Sequence, residues 1–332
     1  MTTYKDIRGT HIKTVTTDPP APVNGQMWYN STTRIMKGFT ENPAGSWATG
    51  GSLNTARNHL GSAGTKALAL GFGGATDPST ESGKTEQYNG TAWSEVADLN
   101  TARRTNGTGA TYTAAIAIGG YNSSPDITYN QTETWNGSSW TEVNDLNSGR
   151  GDAMCNGTTT SALDAGGDTV SSPPSKVATC ESWNGTSWTE VADLNQGRAS
   201  GSNAGNAGNT VGLASGGHDG TGAVALNESW NGSAWTEVGD MNTAIRNNRG
   251  GGTPSSAISA GGNTGTYASD TETWNGTAWT DVTGLSTARQ NGVMRAASSG
   301  SGIYFGGAIA TQLSATEEWT APVETTVTFT AS

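Results

Sequence analysis

Short apolar runs alternate with polar, turn-forming segments along most of the chain, and no stretch sustains the 3.6-residue period of an amphipathic helix. Runs such as "AAIAIGG" (114–120) and "GIYFGG" (302–307) pack small apolar side chains up to a Gly-Gly pair. Segments such as "TETW" (132–135) and "WTEV" (140–143) alternate in the way a strand sends successive side chains to opposite faces. Between them stands Asn136-Gly137, and Asn-Gly is the strongest two-residue hairpin signal because both residues tolerate positive φ. The pattern predicts short antiparallel strands joined by tight turns.

The pattern is periodic. "TETWNGSSWTEVNDL" at Thr132 returns as "CESWNGTSWTEVADL" at Cys180, "NESWNGSAWTEVGDM" at Asn227 and "TETWNGTAWTDVTGL" at Thr271. An earlier copy, "TEQYNGTAWSEVADL", starts at Thr85 and carries Tyr88 in the first aromatic position. Three marks keep a fixed order: Trp at 47, 93, 140, 188, 235 and 279; then Arg57, Arg103, Arg150, Arg198 and Arg289, with Arg246 one place late; then Gly-Gly pairs ending at Gly74, Gly120, Gly167, Gly217, Gly262 and Gly307. Each unit of about 46 residues holds four strand candidates, and six such units predict an all-β fold, a six-bladed β-propeller.

Trp135 and Trp140 share one face of their hairpin whether paired residues sum to 273, as with a two-residue loop, or to 275, as with a four-residue loop. Each copy therefore offers an aromatic plate to the neighbouring blade. The first unit begins with a fourth strand, at Trp47, and the last stops without one after Trp319. The Trp47 strand is expected to complete the last blade and close the ring, removing an open edge. The domain reading is an arm with a small hairpin at 1–44, a propeller at 45–321 and a tail strand at 322–332.

Composition narrows the function classes. The net charge is −11, with no run of Lys or Arg, which argues against phosphate-backbone binding and a nucleic-acid partner. No apolar run approaches a membrane span, and the opening "MTTYKDIRGTHIKTVTTDPPAPV" lacks the hydrophobic segment of a secretory signal. Cys155 and Cys180 fall on the first and third strands of one unit, too far apart to bridge, so two free thiols are expected. That fits synthesis in a reducing cytosol.

The order Gly-Gly, Glu-x-aromatic, Trp about six residues on, then Leu or Met and Arg, resembles the kelch repeat over roughly residues 45 to 320. The resemblance implies a kelch-type propeller. "DPPAPVNGQMWYNSTTRIMKGFTENPAGSW", around Trp28, Tyr29 and Asn30, looks like a segment common in structural proteins of tailed bacteriophages. That resemblance implies a leader that fixes the module to a virion through other virion proteins, in several copies. The protein would then be made in the host cytoplasm.

Candidate chemistry is sparse. The histidines are His11, His59 and His218, and a metal site needs three or four convergent ligands, so no metal and no cofactor are expected. The copper-site motifs of galactose oxidase, a kelch-type propeller, have no counterpart. Glu86, Glu133, Glu181, Glu228, Glu272 and Glu317 recur once per unit, which reads as structural bonding between strands rather than paired-carboxylate catalysis. The repeated Arg is expected to bridge blades. Variation concentrates in the loops after Gly-Gly, which offer Tyr121, Asp126, Tyr129, Asp168, His218, Asp219 and Tyr267 as binding candidates suited to a host-surface glycan. The leading expectation is a non-enzymatic virion structural or appendage protein. The alternatives are a bacterial glycan-binding or sugar-isomerising propeller enzyme, which a convergent acid, base and cation cluster in the central channel would favour, and an intracellular adaptor.

Overall fold

The computed structural model describes residues 12–20, 25–42, 44–169, 175–205 and 208–329. His11, other parts of the arm and residues 330–332 of the tail lie outside them. Among the described residues every regular element is a strand, and no helix is long and apolar enough to cross a membrane. The chain divides into two compact units, Trp47–Thr320 and Met1–Ser46 with Ala321–Ser332.

The large unit is a propeller-like array of four-stranded antiparallel sheets. Sheet I comprises Gly61–Gly64, Ala69–Phe72, Thr85–Tyr88 and Trp93–Val96; sheet II comprises Arg104–Thr111, Ala114–Ser123, Asp126–Trp135 and Trp140–Val143. Sheet III comprises Met154–Thr158, Ser161–Ala165, Cys180–Trp183 and Trp188–Val191; sheet IV comprises Ser202–Ala204, Gly212–Ser215, Asn227–Trp230 and Trp235–Glu237. Sheet V comprises Arg249–Thr253, Ser256–Asn263, Tyr267–Trp274 and Trp279–Val282. Sheet VI comprises Gln290–Ser298, Ser301–Ala308 and Thr316–Thr320, and its fourth strand is Ser46–Gly50.

The hairpin register resolves the two loop lengths left open by the sequence. Trp135 lies directly opposite Trp140, a sum of 275, so the loop has four residues. Asn136 Oδ1 accepts the backbone N–H groups of Ser138 and Ser139, and this side-chain cap holds the wider loop. The two rings sit 5.4 Å apart at a tilted angle, which aromatic pairs favour.

Each plate packs on the preceding sheet. Trp135 and Trp140 cluster with Leu70 and Phe72 of sheet I, and Trp183 and Trp188 with Ile116 and Ile118 of sheet II. Tyr88 and Trp93 of sheet I cluster with Ile303 and Phe305 of sheet VI. The indole N–H of Trp140 donates to Thr85 Oγ1 across the boundary at 3.0 Å, and that of Trp188 to Thr132 Oγ1 at 3.1 Å. A buried indole would be costly without such an acceptor.

The repeated Arg calls for a correction, because its side chain staples its own sheet. Arg57 reaches Glu86 on the third strand of sheet I, and Arg103 reaches Glu133 of sheet II at 2.6 Å. The bridge between sheets is made by the backbone carbonyl instead: Gly74 N donates to Arg103 O, Gly120 N to Arg150 O and Gly307 N to Arg57 O, each at 2.9 Å. Gly119 and Gly120 have φ of 51° and 129°, and a Cβ on Gly120 would lie 2.1 Å from Arg104 O, so only glycine fits. In sheet V the Arg position is filled by Ile245, whose carbonyl accepts from Gly217 N at 2.8 Å. Arg246, one residue on, bonds through its backbone to Asn263.

The small unit holds a sheet of Lys13–Val15, Met27–Asn30, Ile35–Asn42 and Val323–Phe329 in that order. The middle pair is the hairpin expected around Ser31–Thr33. The C-terminal strand runs antiparallel to Ile35–Asn42, so the tail and the arm share one sheet.

Candidate functional site

Two residues beyond the repeated Arg, or beyond Ile245 in sheet V, the chain enters the first strand of each sheet. At that position His59, Asp152, Ser200, Asn247 and Asn291 take left-handed backbone angles, with φ between 50° and 59°. Asn, Asp and His are the non-glycine residues that tolerate this region best. The sixth equivalent, Thr105, is not left-handed. Backbone bonds link these residues from sheet to sheet: Thr105 N to His59 O, His59 N to Asn291 O, Asn291 N to Asn247 O, Asn247 N to Ser200 O and Ser200 N to Asp152 O, at 2.6 to 3.2 Å. Among the described residues no bond continues from Asp152 N to Thr105 O. Non-glycine residues in such angles concentrate at functional sites.

A cleft of about 280 Å³ opens beside that gap, lined by Arg104, Tyr121, Asp126, Asp152, Asp168 and Lys176 among others. Its charges are matched by one another or by residues next to it. Lys176 bonds Asp168, Arg249 Nη2 lies 3.6 Å from Asp152 Oδ1, and Arg104 Nε lies 3.4 Å from Glu81 Oε1. The Arg104 guanidinium also sits over the Tyr121 ring at 5.5 Å. Burial raises the Tyr121 hydroxyl, and its bond to Asp126 adds to the shift.

His59 Nε2 stands 4.0 Å from Asp152 Oδ1, and His59 Nδ1 is buried without a partner. Desolvation pulls the imidazole down to about 4; Asp152 opposes the shift, while Arg104 and Arg249 reinforce it, so the ring is neutral at neutral pH. Burial works to raise Asp152, but the field of His59 and the nearby cations outweighs it and holds the carboxyl below its usual value. Burial lifts Asp168 above the usual range despite its bond to Lys176. His59 and Arg249 do not line the cleft; they meet Arg104, Tyr121 and Asp152 in a smaller pocket that shares those residues with it. The cleft itself offers a phenol, carboxylates, a guanidinium and an ammonium group, a set that can exchange hydrogen bonds with a polyhydroxyl ligand.

Of the residues singled out in the sequence, Tyr121, Asp126 and Asp168 come together in this cleft. Tyr129 stands half-buried near them, its hydroxyl accepting from Asn122 Nδ2 at 3.4 Å. His218 Nδ1 accepts from Gly220 N, and Asp219 caps its own loop through Thr221 and Gly222, bonds that hold its carboxyl down at about 2. Tyr267 is exposed in sheet V and does not line the cleft. In the arm, Trp28 is buried, and its indole N–H and the Asn30 side chain both donate to Asp18 Oδ1 at 2.9 Å, while Tyr29 is half-buried. Trp28 and Asn30 thus serve the internal bonding of the arm.

Sequence reasoning did not single out His59, Arg104, Asp152, Lys176 and Arg249 as binding candidates. Their one shared signal is position: three of them follow a repeated structural mark by one or two residues. Among the described residues no cluster of three His, Cys, Asp or Glu side chains could hold a metal. Cys155 and Cys180 are both buried free thiols.

No protein-family model matches the chain, and no curated protein matches it. Among solved structures it is similar to "Structure of YjhT", with a TM-score of 0.67 at 14% identity over 83% of this chain and 99% of that one. At that identity the likeness concerns the fold alone.

Proposed function

We propose that the chain is a non-enzymatic display protein of a tailed-bacteriophage particle. In this reading a six-bladed kelch-like propeller, its ring closed by Ser46–Gly50, is mounted in several copies through the arm and contacts a host-surface glycan through its loop-face cleft. The observation that carries the mounting is the separate compact unit built from both chain ends, which contains the Trp28-Tyr29-Asn30 segment. Contacts of Gln290–Ser298 with Gly61–Gly64, together with the sheet I–sheet VI cluster, support the closed ring. The charge-matched cleft with Tyr121 at its wall suits a neutral sugar better than an ion.

The reading is tested by gold-labelling intact particles with an antibody against residues 47–320. Regular labelling at one particle location is expected, and unlabelled particles beside a labelled cell lysate would refute it. A second reading, a sugar-isomerising or glycan-binding bacterial enzyme, is favoured by the convergence of His59, Asp152 and Arg249 in one small pocket that shares Arg104, Tyr121 and Asp152 with the cleft. Turnover of a monosaccharide panel that is lost in His59→Gln would decide for that reading.

A further inference from the structure

The sheet of the small unit has two unlike edges. One is Lys13–Val15, three residues long and carrying an exposed lysine. The other is Val323–Phe329, which pairs with Ile35–Asn42 in unbroken register over seven residues. Among the described residues no strand lies on its far side. Such an edge presents a row of backbone N–H and C=O groups ready to pair with another chain.

Elsewhere the chain blunts its edges. The outer strands of sheets I to V are three or four residues long, and each carries an exposed acid: Glu95, Glu142, Glu190, Glu237 or Asp281. Short strands and edge charges discourage pairing between molecules. Val323–Phe329 is longer, contains no Pro, Gly, Lys or Arg, and holds its single charge, Glu324, near one end. Every other residue in it is β-branched or aromatic, the types that favour a strand.

The sequence of this strand suits a copy of itself. Laid antiparallel about Thr326, Val323 stands opposite Phe329, Glu324 opposite Thr328 and Thr325 opposite Val327. Alternate residues of an edge strand turn their backbone groups outward, and this register sets each outward residue against another. No like charges meet, whereas parallel pairing in register would set Glu324 against Glu324. Val with Phe and Thr with Thr are favourable cross-strand pairs. Lys13–Val15 is too short to receive the whole strand, which disfavours head-to-tail growth and leaves a contact that closes on itself.

We infer that Val323–Phe329 pairs with the same strand of a second copy, antiparallel about Thr326. The two four-stranded sheets then run on as one continuous sheet across a two-fold axis. This gives the several mounted copies a defined contact, but it is a property of the purified chain. A monomer would strike this inference and leave the particle reading to its own labelling test.

One strand pair is a small interface, so the dimer is weak and depends on concentration. Sedimentation of the full chain at loadings from about 1 to 100 µM should show monomer passing into dimer. Thr326→Lys sets two ammonium groups face to face on the axis, and Thr326→Glu sets two carboxylates there. Each variant alone should stay monomeric, and an equal mixture of the two should recover the dimer. A cysteine cross-link reads the same register without those charges. Thr326→Cys should form a disulfide-linked dimer under a mild oxidant, and Val323→Cys, far from its own copy, should not. The natural Cys155 and Cys180 are buried and do not compete. A natural chain that stays monomeric over the whole range, a dimer undiminished in Thr326→Lys, or equal cross-linking in the two cysteine variants would each overturn the assignment.

Discussion

Arg57 Nη2 donates to Glu86 Oε1 at 2.8 Å, and both side chains are fully buried. The same pair recurs as Arg103–Glu133, Arg150–Glu181, Arg198–Glu228 and Arg289–Glu317. Each Glu also accepts a backbone N–H from the turn before the Arg, such as Asn54 N at 2.6 Å and Asn100 N at 2.8 Å. The carboxylate therefore ties the entry turn, the Arg and the third strand into one node.

Breaking one node should be costly. Glu133→Gln leaves the Arg103 guanidinium buried without its counter-charge, and a loss of about 3–5 kcal/mol is expected. Adding Arg103→Met should recover a large part of that loss. Denaturant melts of the two single variants and the double variant check the coupling.

Sheet V supplies an internal control. Ile245 replaces the Arg, Glu272 has no ion-pair partner among the described residues, and burial raises its carboxyl above the usual range. Glu272→Gln should therefore cost less than Glu133→Gln in the same melts, since it orphans no cation. An equal or larger cost would assign the stabilisation to the backbone N–H bonds of Asn242 and Thr243 instead.

Asp164 gives a pH dependence with a definite sign. It lies 3.0 Å from Arg150 Nε, but that cation already serves Glu181, and burial lifts Asp164 from 3.8 to about 7. Between about pH 4 and 7 the unfolded chain has released this proton while the folded chain keeps it. Stability attributable to Asp164 thus falls as pH rises through that window and is level above it. Asp164→Asn should be more stable than the natural chain at pH 8, with the advantage shrinking toward pH 4. His59 acts in the opposite direction, since its lowered value costs stability as pH falls from 6.5 toward about 4. Comparing melting midpoints of variant and natural chain at each pH cancels that contribution.

Two repeated glycines can be ranked by contact. Gly120→Ala puts a methyl 2.1 Å from the Arg104 carbonyl at φ +129°, whereas Gly137→Ala meets nothing nearer than 3.5 Å at φ +97°. The first should disrupt folding, and the second should cost about 1 kcal/mol from backbone strain alone. Expression and melting of the two variants check the order.

Much of this architecture was legible in the sequence because it is repeated. Trp135 and Trp140, Arg103, Glu133 and Gly119-Gly120 recur at nearly fixed spacing, and their counterparts take the same places in the other sheets, with Tyr88 for the first Trp in sheet I and Ile245 for the Arg in sheet V. Register was less legible: whether Trp135 opposes Trp140 through a two- or four-residue loop depends on the Asn136 cap, which spacing does not reveal. The direction of the Arg side chain was also hidden, since a residue between two sheets can face either one. The cleft was half legible. Tyr121, Asp126 and Asp168 stood out as polar residues in variable loops, but His59, Asp152 and Arg249 lie inside the repeated frame and differ from their counterparts only in side chain. The place of Val323–Phe329 beside Ile35–Asn42 joins opposite chain ends, a pairing with no local signal.

The central claim, a propeller carried on a virion, is tested most directly by peptide mass spectrometry of density-banded phage particles from the source of this sequence. Peptides from both units are expected at a fixed, integral copy number per particle. Particles free of those peptides, with the protein confined to the cell lysate, would contradict it.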